Sequence, residues 1–157
     1  MSRSRIPVVA LAFALTAALA GCSGNDAPKA GPHRQVLAPS PSPLPVFSPA
    51  VRTGDLVFLS GTIGNRPGTL ELAAGGIEAE TEQALTNIRD LLAEIGLSMD
   101  DVVKCTVFLA DMRDYQAMNE VYARFFPEDP PARSTLGANG LALGARIEIE
   151  CIAAWRE

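Results

Sequence analysis

The sequence is poor in the residue types that hold metals and bind nucleic acids. Its 157 residues include one histidine, His33, and three cysteines, Cys22, Cys105 and Cys151. A metal site needs several such ligands close together, so the chain offers no candidate metal cluster. Basic runs are also missing. The chain has 13 Lys/Arg and 18 Asp/Glu, which gives a formal net charge of −5. A negatively charged protein repels phosphate backbones, which argues against nucleic-acid binding.

A run long enough to span a membrane is missing as well. Arg3 and Arg5 precede an uncharged apolar stretch over residues 6–20, which is shorter than the roughly 20 residues of a membrane-spanning helix. Basic residues, an apolar run and then small residues follow each other in the order of a secretory signal peptide. Residues 1–21 are therefore predicted to be a signal peptide, with an uncleaved anchor as the alternative.

The small residues before Cys22 make this prediction more specific. The segment LAGC at residues 19–22 resembles the lipobox of bacterial lipoproteins, in which the cysteine is lipidated and becomes the mature N-terminus. That resemblance implies a lipid anchor on Cys22 and a periplasm-facing protein of the cell envelope. Ser23 follows the cysteine, which resembles outer-membrane retention; in a monoderm organism the plasma membrane would hold the anchor. Removal of the signal peptide would remove Arg3 and Arg5. The mature chain from Cys22 would then have 11 Lys/Arg and 18 Asp/Glu, a formal charge of −7.

The rest of the chain divides into a spacer and one domain. Residues 22–45 are rich in Pro, Ser, Ala and Gly, a composition that favours a semi-extended tether. Residues 46–157 have the length and apolar content of a single packed domain. Within it, apolar periodicity predicts two helices. The first covers residues 77–95 and stops at Gly96, and the second begins after an N-cap at Asp114. Strands are predicted over 56–60, 102–109, 134–138 and 146–154, with a loop over 61–76.

This element order predicts a two-layer α+β domain, in which two amphipathic helices cover one face of a mixed sheet. The last strand alternates in the way such a sheet requires. Ile147, Ile149 and Cys151 should face the helices, whereas Glu148 and Glu150 should face water or another subunit. Cys105 and Cys151 both lie in apolar strand patterns. Two buried thiols are the favoured interpretation, although an oxidising compartment would permit a disulfide between them.

Arg133 and Glu148 are the leading candidates for chemistry. Arg133 lies in PPARST at residues 130–135, which is predicted to be a Pro-flanked turn, and Glu148 follows in GARIEIEC at residues 144–151. An arginine fork can hold a carboxylate by two parallel hydrogen bonds. A glutamate nearby can position or deprotonate a water. Together they suggest hydrolysis of a small acid, although each residue taken alone is more simply explained as a solvated surface side chain.

Several segments of residues 51–155 resemble the Rid family of reactive intermediate deaminases, also called YjgF-type proteins. The PARST segment at residues 131–135 is the most specific of them. The other segments, in family order, are LVFLSG at 56–61, QALTNI at 83–88, DVVKCTVFL at 101–109, NEVY at 119–122 and IEIE at 147–150. The resemblance implies a chorismate-mutase-like fold and a homotrimer, in which the sheets form a central barrel and clefts lie between subunits.

The resemblance also implies an activity, since the founding branch hydrolyses 2-imino acids or their enamine tautomers to 2-keto acids and ammonia without cofactor or metal. It implies that Arg133 binds the substrate carboxylate and that Glu148 orients the attacking water. The remaining site residues that it implies, as substrate-binding, are Phe47, Ser60, Gly61, Asn87 and Thr135. The partners are then a small imino or keto acid, two further copies of the chain, and a membrane through the lipid on Cys22.

One position departs from this branch. Where the branch usually has a tyrosine, this chain has Phe47, which keeps the ring and loses the hydroxyl. A lost polar contact is worth about 1–3 kcal/mol. The alternative function is therefore a tethered, non-catalytic module that binds small carboxylates through Arg133. Hydrolysis of another small imine or amide is a third interpretation.

Overall fold

The computed structural model describes residues 34–37 and 46–156. It contains two helices and seven short strands. The helices are α1 (Gly76–Glu94) and α2 (Tyr115–Phe125). The strands are β1 (Gln35–Leu37), β2 (Ala50–Thr53), β3 (Leu56–Leu59), β4 (Thr62–Ile63), β5 (Val102–Leu109), β6 (Ala132–Gly137) and β7 (Ile147–Ala154). None of the helices in the described ranges is long and apolar enough to cross a membrane.

The strands form one mixed sheet with β7 near its centre. The order is β1-β2-β3-β7-β5-β6, and β4 also pairs with β7. All pairings are antiparallel except that of β5 with β6. A parallel pair needs a crossover, and α2 supplies it between those two strands. The predicted mixed sheet with two helices is thus confirmed.

Apolar side chains of both helices cover one face of this sheet, which we call the inner face. Helix α1 buries a stripe that includes Ile77, Ala84, Ile88 and Leu92, as its helical spacing predicted. At its end, Gly96 has φ +81°, a conformation that glycine adopts without strain, and Leu97 N–H donates to Leu92 C=O at 2.8 Å. These two features form the predicted C-terminal stop. Each fully buried Leu or Ile in this core contributes roughly 1.5–3 kcal/mol.

Strand β7 alternates as predicted. Ile147, Ile149 and Cys151 are buried on the inner face, whereas Glu148 is half-buried and Glu150 exposed on the opposite face, which we call the outer face. Strand β5 has the same alternation, because its residues lie directly opposite those of β7.

The cysteine prediction is wrong in the structure. Cys105 and Cys151 lie opposite each other on β5 and β7, with their Cα atoms 4.2 Å apart, and they form a disulfide. Both side chains point to the inner face. Sequence periodicity places each cysteine on a face but does not give the register between strands, which brings the two sulfur atoms together.

Four local predictions also need correction. Residues 35–37, inside the predicted tether, form edge strand β1 against β2, since this short segment has no proline to block the pairing. Strand β4 lies within the predicted loop. Arg133 lies inside strand β6 rather than in a turn, because pairing with β5 already begins at Ala132. Asp114 occupies the N-cap position of α2, but its carboxylate binds Arg146 instead of capping the helix.

Candidate active site

Arg133 lies on the inner face of edge strand β6. It is the register neighbour of Cys105, so its side chain points toward α2 rather than into the outer face. Its Nη2 donates to Asn119 Oδ1 at 2.6 Å and lies 3.5 Å from the Tyr115 hydroxyl oxygen. The guanidinium carbon lies 4.5 Å from the centroid of the Tyr122 ring.

These contacts orient the guanidinium without neutralising it. Stacking on an aromatic face and one amide hydrogen bond hold the plane while leaving further N–H groups free to donate. Among the described residues, no carboxylate lies within ion-pairing distance of Arg133. A half-buried, oriented and unpaired guanidinium is suited to bind the carboxylate of a small molecule.

The two tyrosines next to Arg133 differ in their electrostatics. Burial raises the pKa of Tyr122 to about 12, and the positive charge of Arg133 opposes this effect. Hydrogen bonds from Asn119 and then Arg133 lower the pKa of Tyr115, whose ring is 39% exposed. Tyr122 therefore serves as a buried platform, whereas Tyr115 has a hydroxyl at the surface. We call Arg133, Asn119, Tyr115 and Tyr122 the arginine half-site.

Glu148 lies on the outer face, against the loop that follows β3. A Cβ at Gly61 would overlap the Glu148 carboxylate, so the glycine makes room for that side chain. Burial and then the nearby charge of Glu150 raise the pKa of Glu148. A carboxylate with a raised pKa binds a proton more readily, as a general base requires.

Ser60 precedes Gly61 in the chain, and its hydrogen bonds reach the segment that follows Phe47. Ser60 Oγ donates to Ser48 C=O at 2.7 Å, and Ser60 N–H donates to Pro49 C=O at 2.9 Å. These bonds hold the segment next to Phe47 against the end of β3, and the Phe47 ring is 48% exposed. We call Glu148, Gly61, Ser60 and Phe47 the glutamate half-site.

Asn87 and Thr135 lie outside both contact groups. The Asn87 amide donates to Asn65 C=O at 2.9 Å and accepts from Gln83 Nε2 at 2.8 Å, so it joins α1 to the segment after β4. Thr135 lies on the inner face two residues from Arg133, and its Oγ1 is buried with no hydrogen-bond partner among the described residues. Substrate contact by either residue stays a prediction.

The two half-sites lie on opposite faces of one sheet. Arg133 shares a face with Cys105, whereas Glu148 pairs with Phe108 on the other face. One chain therefore does not present both groups to the same small molecule. Their catalytic and binding roles stay predictions, and the predicted lipidation site Cys22 lies outside the described residues.

Sequence reasoning did not assign a site role to the side chains that hold Arg133. Asn119 and Tyr122 lie three residues apart on α2, in the NEVY segment, and Tyr115 lies one turn before Asn119. Spacings of three and four residues put side chains on one helix face. That periodicity is the signal from which the sequence could have grouped these three side chains.

Comparison with known proteins is consistent with this architecture. The family model described as Endoribonuclease L-PSP matches residues 38–155. The chain is 44% identical over 114 residues to Reactive Intermediate Deaminase A, chloroplastic, of Arabidopsis thaliana, covering 73% of this chain and 61% of that protein. It is 41% identical over 122 residues to 2-iminobutanoate/2-iminopropanoate deaminase of Dermatophagoides farinae, covering 77% of this chain and 95% of that protein.

A solved structure has the same fold. The YjgF gene product of E. coli superposes with a TM-score of 0.71 at 32% identity, covering 78% of this chain and 99% of that one. The family match spans most of the described chain, and relatives at about 40% identity cover about three quarters of it. The chain therefore belongs to the Rid/YjgF family.

Proposed function

We propose that this protein hydrolyses reactive 2-imino acids and their enamine tautomers to 2-keto acids and ammonia. The observation that carries the proposal is the arginine half-site, in which an oriented guanidinium has no carboxylate partner among the described residues. Relatives named as deaminases of 2-iminobutanoate and 2-iminopropanoate support the same substrate class, a small acid with a C=N bond.

The proposed chemistry is addition of water followed by loss of ammonia. Arg133 holds the carboxylate, so the imine carbon is presented in a fixed orientation. Glu148 accepts a proton from water as the water oxygen bonds to that carbon, and it passes this proton to the imine nitrogen. Collapse of the tetrahedral adduct transfers the hydroxyl proton to the amine nitrogen, forms the keto C=O bond, breaks the C–N bond and releases ammonia. The raised pKa of Glu148 favours the proton transfer.

We further propose that the working site lies between subunits of a homotrimer, with Arg133 from one subunit and Glu148 from its neighbour. The opposite placement of the two half-sites within one chain supports a shared site. The outer face also exposes large apolar side chains, notably those of Leu56, Phe58 and Leu136. Such side chains on one sheet face are typical of an interface.

The direct test is an assay with an amino-acid oxidase, in which the full-length chain consumes the imine that the oxidase generates. Arg133→Ala should abolish the accelerated release of keto acid while the oligomer stays intact in analytical ultracentrifugation. Arg124→Ala is the matched control, because Arg124 is an exposed arginine of α2 that pairs with Glu82. Unchanged turnover in Arg133→Ala would contradict the assignment.

A carboxylate-binding module without turnover is the second candidate, and Phe47 is the observation that favours it. Calorimetry would then detect a bound 2-keto acid, whereas the oxidase assay would show no acceleration. RNA cleavage, which the family description names, is disfavoured by the net charge of −5 and the lack of a basic run.

The cell-envelope location is also a proposal. It rests on the order of basic, apolar and small residues before Cys22. In a bacterial host with a lipoprotein pathway, the chain should incorporate labelled palmitate and sediment with membranes, and Cys22→Ser should do neither. Label in Cys22→Ser equal to that in the unmodified chain would contradict an anchor at this cysteine.

A further inference from the structure

The Tyr115 hydroxyl lies at the open side of the arginine half-site. Tyr115 is the first residue of α2, and the ion pair between Asp114 and Arg146, with atoms 2.8–3.1 Å apart, ties this end of the helix to the segment before β7. The hydroxyl oxygen lies 3.5 Å from Arg133 Nη2. The ion pair therefore anchors the end of α2 from which the Tyr115 side chain reaches the guanidinium.

The hydrogen-bonding capacity of this hydroxyl is only partly used. A phenol has two acceptor lone pairs and one donor hydrogen. The contact of the Tyr115 oxygen with Arg133 Nη2 is 3.5 Å long, beyond the usual length of an N–H···O hydrogen bond, so neither group satisfies the other. In the parts of the chain that the structure describes, no acceptor receives the hydroxyl hydrogen. Since Tyr115 is 39% exposed, that hydrogen is available to a bound molecule.

A carboxylate oxygen can reach both donors at once. An oxygen about 2.8 Å from Nη2 and about 2.7 Å from the phenol oxygen satisfies normal hydrogen-bond lengths. These two lengths are compatible with the 3.5 Å that separates the donors. The same oxygen could therefore accept from Arg133 and from Tyr115.

We infer that Tyr115 is a substrate-binding residue that donates its hydroxyl hydrogen to the carboxylate held by Arg133, and so selects for acids over their neutral analogues. This inference rests on the proposed deaminase function. It assigns Tyr115 to the carboxylate end of the substrate. Tyr115 therefore does not replace the hydroxyl that Phe47 lacks at the end where water attacks.

The test compares Tyr115→Phe with the unmodified full-length chain. Calorimetry measures the Kd of 2-oxobutanoate and of its methyl ester, and the oxidase assay measures kcat/KM. Removing one hydrogen bond to a charged group should weaken 2-oxobutanoate binding about tenfold and change binding of the ester less than twofold. Gln116→Ala, an exposed neighbour in the same helical turn, should leave both values unchanged.

The outcomes separate this inference from the function on which it rests. If the unmodified chain turns over imine and Tyr115→Phe binds 2-oxobutanoate equally well, the inference is wrong and the deaminase proposal stands. Equal weakening for acid and ester would also overturn it, because the loss would then come from a general change of the pocket. No turnover and no keto-acid binding by the unmodified chain would overturn both.

Discussion

Arg133 owes its orientation to side chains of a single helix. Asn119 accepts a hydrogen bond from Nη2, and the Tyr122 ring lies beneath the guanidinium plane. Burial keeps Tyr122 un-ionised, since its pKa of about 12 is far above any working pH. The ring therefore stays a neutral stacking surface, and the remaining N–H groups of Arg133 stay available for hydrogen bonding. Lysine would keep the charge and lose both the stacking plane and the fork.

Glu148 should control the acidic limb of the pH–rate profile. It must be ionised to accept a proton from water, so activity should fall as pH drops through its raised pKa. Glu148→Gln should lower kcat/KM by about 10²–10⁴-fold, the usual contribution of a general base. The oxidase assay across a pH series measures both.

Glu150 provides the matched control for this prediction. Its negative charge raises the pKa of Glu148, so Glu150→Gln should move the acidic limb to lower pH while activity at neutral pH is retained. If Glu148→Gln kept near-normal turnover and an unchanged acidic limb, a group other than Glu148 would control the pH–rate profile.

Gly61 should matter for activity more than for stability. An alanine there would overlap the Glu148 carboxylate, which can move because it is the far end of a flexible side chain. Gly61→Ala should therefore lower kcat/KM at least tenfold, since displacing a catalytic group by about 1 Å costs on the order of 10²-fold. Gly68→Ala should lower the stability and leave kcat/KM unchanged. Gly68 has φ +73°, which strains alanine, but an added Cβ there would meet no neighbouring atom. Thermal unfolding and the oxidase assay on both variants test this contrast.

At the scale of elements, β7 connects the parts of the site. It carries Glu148, pairs with β4 next to Gly61, and pairs with β5, which in turn pairs with the strand of Arg133. The disulfide between Cys105 and Cys151 crosses the pairing of β5 with β7 on the inner face. The disulfide is buried in the core, and the two cysteines that it joins are 46 residues apart in sequence.

This disulfide should stabilise the fold measurably. A bridge that closes a loop of 46 residues is worth about 4 kcal/mol in the loop-entropy model, and typical measured values are about 2–4 kcal/mol. Reductant should lower the free energy of unfolding of the unmodified chain by that amount. The double variant Cys105→Ala, Cys151→Ala should be less stable and insensitive to reductant. Urea denaturation with and without dithiothreitol gives both numbers, and equal curves for the unmodified chain would count against the bridge.

At the scale of the whole molecule, the two faces of the sheet have different tasks. The inner face is closed by α1 and α2 and holds the arginine half-site at its edge, whereas the outer face has no helix on it in the described chain and holds the glutamate half-site. A single chain can build each half-site but cannot join them. Joining them is therefore proposed to be a property of the oligomer.

Subunit mixing tests this proposal directly. Arg133→Ala and Glu148→Gln should each be inactive, yet a co-refolded equal mixture should regain about a quarter of the unmodified activity per site. That fraction follows because a site shared head-to-tail in a symmetric ring receives an intact arginine and an intact glutamate each with probability of about one half. Activity is measured after assembly is checked by ultracentrifugation. A mixture that stays inactive, although mixed trimers form, would place both groups of one site in the same subunit.

Local periodicity predicted the elements that depend on it. Helix α1 ends at Glu94 before Gly96, and β7 buries Ile147 and Ile149 as its alternation required. Segments without strong periodicity were missed. Strand β4 has two residues and β1 has three, so they offer too few positions for an alternating pattern. The prolines before Arg133 predict a turn, but pairing with β5 begins the strand already at Ala132.

The sequence by itself determined the layered α+β architecture, the outward placement of Glu148 and the candidate pair of Arg133 and Glu148, because these depend on spacing along one chain. Only the tertiary structure decided which residues distant in sequence come into contact, because local residue spacing does not determine such contacts. Those are the Asn119 and Tyr122 contacts to Arg133, the bond between Cys105 and Cys151, and the placement of the two half-sites on opposite faces. Register between strands and the docking of α2 set these distances, and both are properties of the packed core.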